Sequence, residues 1–175
     1  MSNLLVQNIK HTNGTTAATV SSGGAFSSPG HVVQTVYHSF SDETVITSTS
    51  FTDCTGSSFT FTPKFASSKL IINFNAHLYI FRDSAGQGGT AEVNVDGTRI
   101  GADGTAYENY YALTGVTTVN NLIVASKEVQ MDASNTNAKT IKMQARAYST
   151  ANNGKIELNE NANHTSTIKV LEIAQ

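Results

Sequence analysis

The stretch from Leu70 to Arg82 constrains the fold of this chain more than any other. Leu70, Ile72, Phe74, Ala76, Leu78 and Ile80 occupy every second position, with no polar residue among them. That period places all of them on one face of a β-strand, whereas a helix would scatter them around its axis. Burying each of the five large side chains is worth ~1.5–3 kcal/mol. A slip of one residue in pairing would expose the whole stripe, so the stripe fixes the register. Such a strand needs a second layer over it, which means a sandwich or a barrel.

The opposite face of the same strand reads Ile71, Asn73, Asn75, His77, Tyr79 and Phe81. Solvent-facing strands carry more Lys, Glu and Thr. A face that mixes aromatics with amides suits contact with another subunit, where rings anchor and amides hydrogen-bond. Asn73, Asn75, His77, Tyr79 and Phe81 are therefore the candidate subunit interface, with a covered surface inside the chain as the alternative.

The same pattern continues along the chain. Strands are predicted at His31–Phe40, Thr47–Asp53, Ser57–Thr62, Tyr107–Leu113, Leu122–Met131, Thr140–Tyr148, Lys155–Leu158 and Thr167–Ile173. Ala91–Val95 and Thr98–Ile100 flank Asp96-Gly97, a dipeptide suited to the tight turn of a β-hairpin. Asp83–Gly89 reads as a flexible loop. No helical spacing of apolar residues persists over a dozen positions. About nine or ten short strands point to a sandwich of jelly-roll type.

Residues 1–30 differ. Leu4, Leu5, Val6 and Ile9 form a short apolar piece, followed by Asn13-Gly14 and then by Ser21–Gly30, a Ser/Gly/Pro stretch of linker chemistry. This segment buries too little apolar surface to fold alone. It is predicted to be an extended arm, ordered by a partner or by sister subunits. Leu4, Leu5, Val6 and Ile9 would be its anchors, docking by addition of a strand to a neighbouring sheet edge. Fully extended, thirty residues reach about 100 Å.

Charge and cysteine usage exclude several classes. Only 14% of residues are charged and the net charge is −2. No Lys/Arg cluster exists to neutralise a run of phosphates, so nucleic acid is not an expected partner. No segment approaches the roughly 18 apolar residues that a membrane helix needs. The N-terminus has no basic region followed by an apolar one, so no secretory leader is expected. Cys54 is the only cysteine. An intrachain disulfide and a Cys-rich metal site are excluded. Cys54 reads as a small buried thiol, with a reactive thiol as the alternative. These features fit assembly in a reducing host cytoplasm.

Several segments together resemble a domain of marine bacteriophage and cyanophage virion proteins. They are VVQTVYHSF at 32–40 and TSTSFTDCTGSSFTFTPKFASSKLIINFNAHLYI at 47–80. The hairpin VNVDGTRIG at 93–101 looks like that family's V-x-R-D-G-T-x-I-G. NAKTIKMQARAYS at 137–149 and GKIELNENANHTSTIKVLEIA at 154–174 look like its closing strands. LLVQNIKHTNGTTAATV at 4–20 is similar to N-terminal anchor segments of phage fibre-like proteins. The resemblance implies a jelly roll, often trimeric, on a phage particle as tail fibre, head fibre or capsid decoration. The loop after Arg82 and the segment 107–119 follow no pattern of that family. The resemblance carries no catalytic residues.

The chemistry-bearing side chains form no convincing constellation. The five histidines, at 11, 31, 38, 77 and 164, have no metalloprotease-like spacing. His31 or His77 could meet its copies on a threefold axis around a metal, but an ordinary strand or surface histidine is the plainer reading. Asp83, Asp96, Asp103 and Asp132 sit in turns and form no calcium loop. No serine lies in a Gly-x-Ser-x-Gly elbow. Glu157 and Glu160 cannot be placed as a glycosidase pair from sequence. Tyr107, Tyr110 and Tyr111, beside Glu108 and Asn109, make the most aromatic patch. Tyr107 and Tyr110 are candidate receptor or glycan contacts, against the plainer reading of a packed strand.

The sequence thus predicts an all-β protein: a jelly-roll β-sandwich at 31–175 with an extended N-terminal arm at 1–30. The expected role is non-enzymatic and needs no cofactor. The protein would be a virion subunit of the decoration (cement) or fibre type, a homotrimer bound to capsid or tail proteins. A receptor- or glycan-binding module of a tail fibre, facing a host surface glycan, is the alternative. Neither nucleic acid nor membrane is an expected partner.

Overall fold

A computed structural model describes residues 8–14, 16–20, 24, 26–101, 109–111 and 117–175. Three short strands come first: β1 (Asn8–Lys10), β2 (Thr16–Val20) and β3 (Phe26–Ser27). They form a small antiparallel sheet. Twelve more follow, namely β4 (Val32–Phe40), β5 (Thr44–Ile46), β6 (Thr52–Asp53), β7 (Phe59–Phe61), β8 (Lys69–Arg82), β9 (Gln87–Val95), β10 (Thr98–Ile100), β11 (Asn109–Tyr111), β12 (Val119–Asp132), β13 (Lys139–Ala147), β14 (Lys155–Leu158) and β15 (Ser166–Ile173). Among the described residues the only helical piece is a 3₁₀ turn at Glu160–Ala162.

The twelve strands form two antiparallel sheets packed as a sandwich. In the first, β12 pairs with β8 along all of β8, and the other side of β8 is shared by β15 and β14. β4 then pairs with β15, and β5 with β14. In the second sheet, β9 lies beside β13; β10 and β11 flank β9, and β6 and β7 flank β13. Most consecutive segments cross from one sheet to the other: β4 lies in the first, β6 and β7 in the second, β8 in the first, and β9 to β11 in the second. β12 returns to the first sheet, β13 to the second and β15 to the first. This order, with the last strand inserted between the first and third segments, is the jelly roll. The all-β sandwich expected from sequence is therefore observed.

The stripe on β8 lies in the core. Leu70, Ile72, Phe74, Ala76, Leu78 and Ile80 are all buried. Facing them from the second sheet are Ala91, Val93, Val95, Ile141, Met143 and Ala145, also buried. The hairpin turn between β9 and β10 is also where the sequence placed it. Asp96 and Gly97 have φ of 50° and 88°, the left-handed values such a turn requires. The Asp96 carboxylate also accepts a hydrogen bond from the Thr140 backbone N–H at 2.8 Å, tying the turn to β13.

Two predicted elements are corrected. The loop expected at Asp83–Gly89 ends earlier, because Gln87, Gly88 and Gly89 are buried residues of β9. Glycine composition suggested flexibility, but those residues pair with β11 on one side, while Gly89 also pairs with β13 on the other. The strand expected at Thr47–Asp53 is found only at Thr52–Asp53, and a separate strand at Thr44–Ile46 precedes the expected range. Thr44–Ile46 pairs in the first sheet and Thr52–Asp53 in the second, so the chain changes sheets between them. Local pattern cannot register such a crossing.

Candidate contact surface

The outer face of the first sheet can be read row by row across its strands. Leu122, Tyr79, Glu157 and Val45 lie side by side on β12, β8, β14 and β5. The next row toward the β8 C-terminus is Asn120, Phe81 and Lys155. In the other direction come Val124 and His77, then Ser126, Asn75, Thr167 and Ser39, then Glu128, Asn73, Lys169 and Tyr37. The apolar side chains are left open to solvent. Tyr37 is 64% exposed, Val124 52%, Val45 51% and Leu122 43%.

The five residues predicted as an interface do lie together on this face. Asn75 is exposed, and Asn73, His77, Tyr79 and Phe81 are half-buried. They divide into two groups. Asn73 and Asn75 belong to a polar middle, where Asn75 Nδ2 donates to Thr167 Oγ1 at 3.4 Å. Tyr79 and Phe81 stack, with ring centroids 6.4 Å apart and planes 18° apart, and join Leu122 and Val45 in an apolar end. Burial, then Glu160 and Glu157, push the Tyr79 phenol above its ordinary value. Tyr37, Val45, Leu122 and Val124 were not singled out from sequence. Each alternates with an inward-facing neighbour, but which strands lie side by side was not legible.

His77 stacks on His164, with centroids 5.4 Å apart and planes within 6°. His164 follows the 3₁₀ turn. Asn159, just before that turn, is fixed by donating through Nδ2 to the Phe40 carbonyl at 3.1 Å and accepting from Ser166 Oγ at 2.7 Å. Burial, and then the neighbouring His164, hold the His77 imidazole below its ordinary 6.5. The folded state therefore binds this proton less readily than the unfolded chain does. The contribution to stability is complete above pH 6.5 and is lost as pH falls from there through the folded-state value. Denaturant midpoints should fall over that window, and His77→Phe should flatten the fall; an unchanged profile would refute the coupling.

The outer face of the second sheet is built differently. Glu92 accepts from Arg99 at 3.3 Å, and Asn94 Nδ2 donates to Gln144 at 3.3 Å. Asp53 accepts from Lys142 and Gln144, each at 2.6 Å. Those two bonds, Lys142 first, hold the Asp53 carboxyl below its usual value. Arg99 and Arg146 lie over the Phe51 ring, 4.1 and 4.7 Å from its centroid. These charges and amides are matched within the chain, although Thr90 Oγ1 has no partner among the described residues. The Phe51 ring among them is covered by guanidinium groups; Tyr148, beyond Arg146, is 42% exposed.

The long strand β12 is an edge: among the described residues it pairs only with β8. Unpaired edges invite strand addition, and inward-pointing charges guard against it. Lys127 occupies an inward position between Ala125 and Val129, and its ammonium donates to the Gly101 carbonyl at 2.8 Å. That guard protects the second half of β12. The first half, which carries Leu122 and Val124, has none.

The remaining candidates are separate. Ile9 lies on β1 and is 49% exposed; Leu4, Leu5 and Val6 lie outside the described residues. Tyr110 lies on β11 opposite Gly88, while Tyr107 lies outside the described residues, as does Asp103. His31 meets the Phe26 ring edge-on at 6.0 Å. His38 stacks on Phe59 at 4.8 Å and bonds the Gly56 carbonyl through Nε2 at 2.8 Å. Among the described residues no group of His, Cys, Asp or Glu is placed to hold a metal ion. No helix among them is long and apolar enough to cross a membrane.

Cys54 is buried, and burial with the Asp53 charge pushes its thiol up to about 12. The thiolate is the reactive form. Native protein should therefore fail to react with a disulfide reagent at neutral pH, and one equivalent should appear on unfolding. Rapid labelling of the native protein would restore the reactive reading.

Comparison with protein-family models and with curated proteins found no match. Among solved structures, the chain is similar to dimeric latent PorU from Porphyromonas gingivalis. That likeness has 11% identity and a TM-score of 0.38, over 89% of this chain and 14% of the other. It is also similar to the VP2 subviral particle of infectious bursal disease virus, at 16% identity and a TM-score of 0.34, over 85% of this chain and 40% of that one. The chain therefore spans a small part of the first and well under half of the second. TM-scores at this level do not define a shared fold.

Proposed function

We propose that this protein is a non-enzymatic structural subunit of a bacteriophage particle, a capsid decoration or fibre-type protein that acts by holding neighbours. It associates with copies of itself, as a trimer, through the outer face of the β8 sheet, and attaches to other virion proteins through residues 1–30. The observation that carries this reading is the contrast between the two outer faces. One leaves Val45, Leu122 and Val124 open around Tyr79 and Phe81, with Tyr37 open further along the same face, while the other pairs most of its charges and amides within the chain. Apolar and aromatic surface beside an unguarded strand edge gains from being covered by a neighbour. The sequence resemblance to phage virion domains supports the setting.

Sedimentation of the purified protein tests self-association. The parent should run as a trimer, and Leu122→Glu with Val124→Glu should weaken assembly by about a hundredfold or more. Lys142→Glu, on the opposite face, should leave assembly unchanged. A monomeric parent at micromolar concentration would overturn the interface. Removing residues 1–30 should abolish attachment to particles while assembly persists; normal incorporation of the truncated protein would overturn arm anchoring.

A further inference from the structure

At the C-terminal end of β8 a groove of about 530 Å³ opens between two loops, lined among others by Thr47, Phe81, Asp83, Thr150, Asn153 and Lys155. That volume falls within the roughly 300–1,000 Å³ of small-molecule sites. Its walls are braced. Asp83 donates its backbone N–H to the Asn152 carbonyl at 2.9 Å, and its carboxylate accepts from Asn153 Nδ2 at 2.7 Å. Arg82 Nε donates to the Ala151 carbonyl at 3.3 Å. Behind the groove the fully buried Gln87 amide donates to the Phe81 and Ser149 carbonyls, at 3.2 and 2.8 Å, and accepts from Ser149 N–H at 3.1 Å. Gly154 packs so closely that a Cβ would lie 2.2 Å from the Ser149 oxygen. Loop 149–154 is thus held in one shape ahead of ligand binding, which lowers the ordering cost of that step.

The lining has a definite chemistry. Asp83 and Asn153 form a carboxylate–carboxamide pair. Each keeps lone pairs for further bonds, and Asn153 keeps a second N–H. Thr47 and Thr150 supply hydroxyls that both donate and accept. Phe81 supplies an aromatic ring, with the Lys155 ammonium 5.6 Å from its centroid and the Tyr79 ring stacked 6.4 Å away. Asp83 brings a negative charge to the lining, and the cation Lys155 is engaged by Glu157. Such a site has nothing to spare for a phosphate or a carboxylate. It matches a molecule with a ring of hydroxyls on its edge and an apolar C–H face.

We propose that this groove binds an uncharged pyranose unit of a glycan. The site differs from the tyrosine patch identified in the sequence; its polar wall lies on loops, while Phe81 and Lys155 are shared with the end row of the self-association face. Absence of glycoside binding in a parent protein that still sediments as the trimer would overturn this proposal without touching that reading.

Amide chemical shifts in the isotope-labelled full-length protein provide the test, with methyl glycosides of glucose, galactose and mannose as probes and glucose 6-phosphate as the anionic control. At least one neutral glycoside should shift residues 83–86 and 149–154 saturably in the millimolar range. Asp83→Ala should weaken it about tenfold or more. Because that variant also loosens the brace, Thr150→Val, which removes only a hydroxyl, should weaken it too while leaving the remaining spectrum in place. Both variants should sediment as the parent does. No saturable shift with any neutral glycoside, equal binding by the phosphate sugar, or no effect of Thr150→Val would each overturn the proposal.

Discussion

Phe74→Ala should cost about 3–5 kcal/mol of unfolding free energy, whereas Asn75→Ala, one position along the same strand, should change monomer stability by less than about 0.5 kcal/mol. Phe74 is 1% exposed, between Ile72 and Ala76 on the buried face of β8 and against the second sheet. Truncation removes most of a ring from a close-packed interior, and the surrounding strands cannot collapse into the space without losing their pairing. β8 is hydrogen-bonded on both sides, by β12 along its whole length and by β15 at this position. The lost transfer energy and the residual cavity therefore add. Asn75 points the other way, is exposed, and makes one long bond to Thr167. Urea unfolding of the two variants, with the slope unchanged so that the midpoint reports stability, checks the contrast. Equal costs at 74 and 75 would mean that both faces of β8 are covered within a single chain, and the contact-surface reading would go with them.

The contrast between adjacent positions is legible in the sequence because period 2 is a local property. Alternation at Leu70–Ile80, the Asp96-Gly97 turn and the alternation of Ile141, Met143, Ala145 and Ala147 each need only a short window of sequence. All three are found as expected. Strand adjacency is not legible in the same way. That β15 lies between β4 and β8 is a pairing across more than ninety residues on one side and more than a hundred and twenty on the other. No single strand encodes it. The consequence for the site is direct. Asn73, Asn75, His77, Tyr79 and Phe81 share a strand and could be named together, whereas Tyr37, Val45, Leu122 and Val124 join them only through neighbours. The brace around the groove escaped for a further reason. Asp83, Gln87, Asn153 and Gly154 have the composition of loops, and composition alone reads as flexibility. Buried hydrogen bonds to Gln87 make these segments rigid instead.

Glu172 carries the other large expected effect, and nothing in the sequence marked it. It lies on β15 and is fully buried. Its position in the run Ile168, Val170, Glu172 is that of a core residue, where a carboxylate without partners would be prohibitively costly. Four donors surround it. The Lys64 N–H reaches Oε1 at 2.9 Å and Oε2 at 3.0 Å, and the Phe65 N–H reaches Oε1 at 2.9 Å. Ser68 Oγ donates to Oε1 at 2.8 Å and Gln34 Nε2 to Oε2 at 2.6 Å. Gln34 Nε2 also reaches the Thr62 carbonyl at 2.8 Å. The carboxylate thereby gathers the segment 62–68, which leads into β8, onto β15 and β4. It sets where β8 begins and so supports the register of the core stripe. Glu172→Ala leaves these four donors facing an apolar gap and should cost about 3 kcal/mol or more, since each buried donor left unmet costs about 1–3 kcal/mol. Glu172→Gln keeps the shape but presents an N–H where an acceptor is needed, and each donor left unmet costs about 1–3 kcal/mol. It should fall between Glu172→Ala and the parent. Hydrogen exchange supplies a second reading. The Lys64 and Phe65 amides should be strongly protected in the parent and should exchange faster in both variants, ahead of the amides of β8. A Glu172→Gln protein as stable as the parent, with those two amides still protected, would show that the segment 62–68 is held by packing alone and that the carboxylate is incidental.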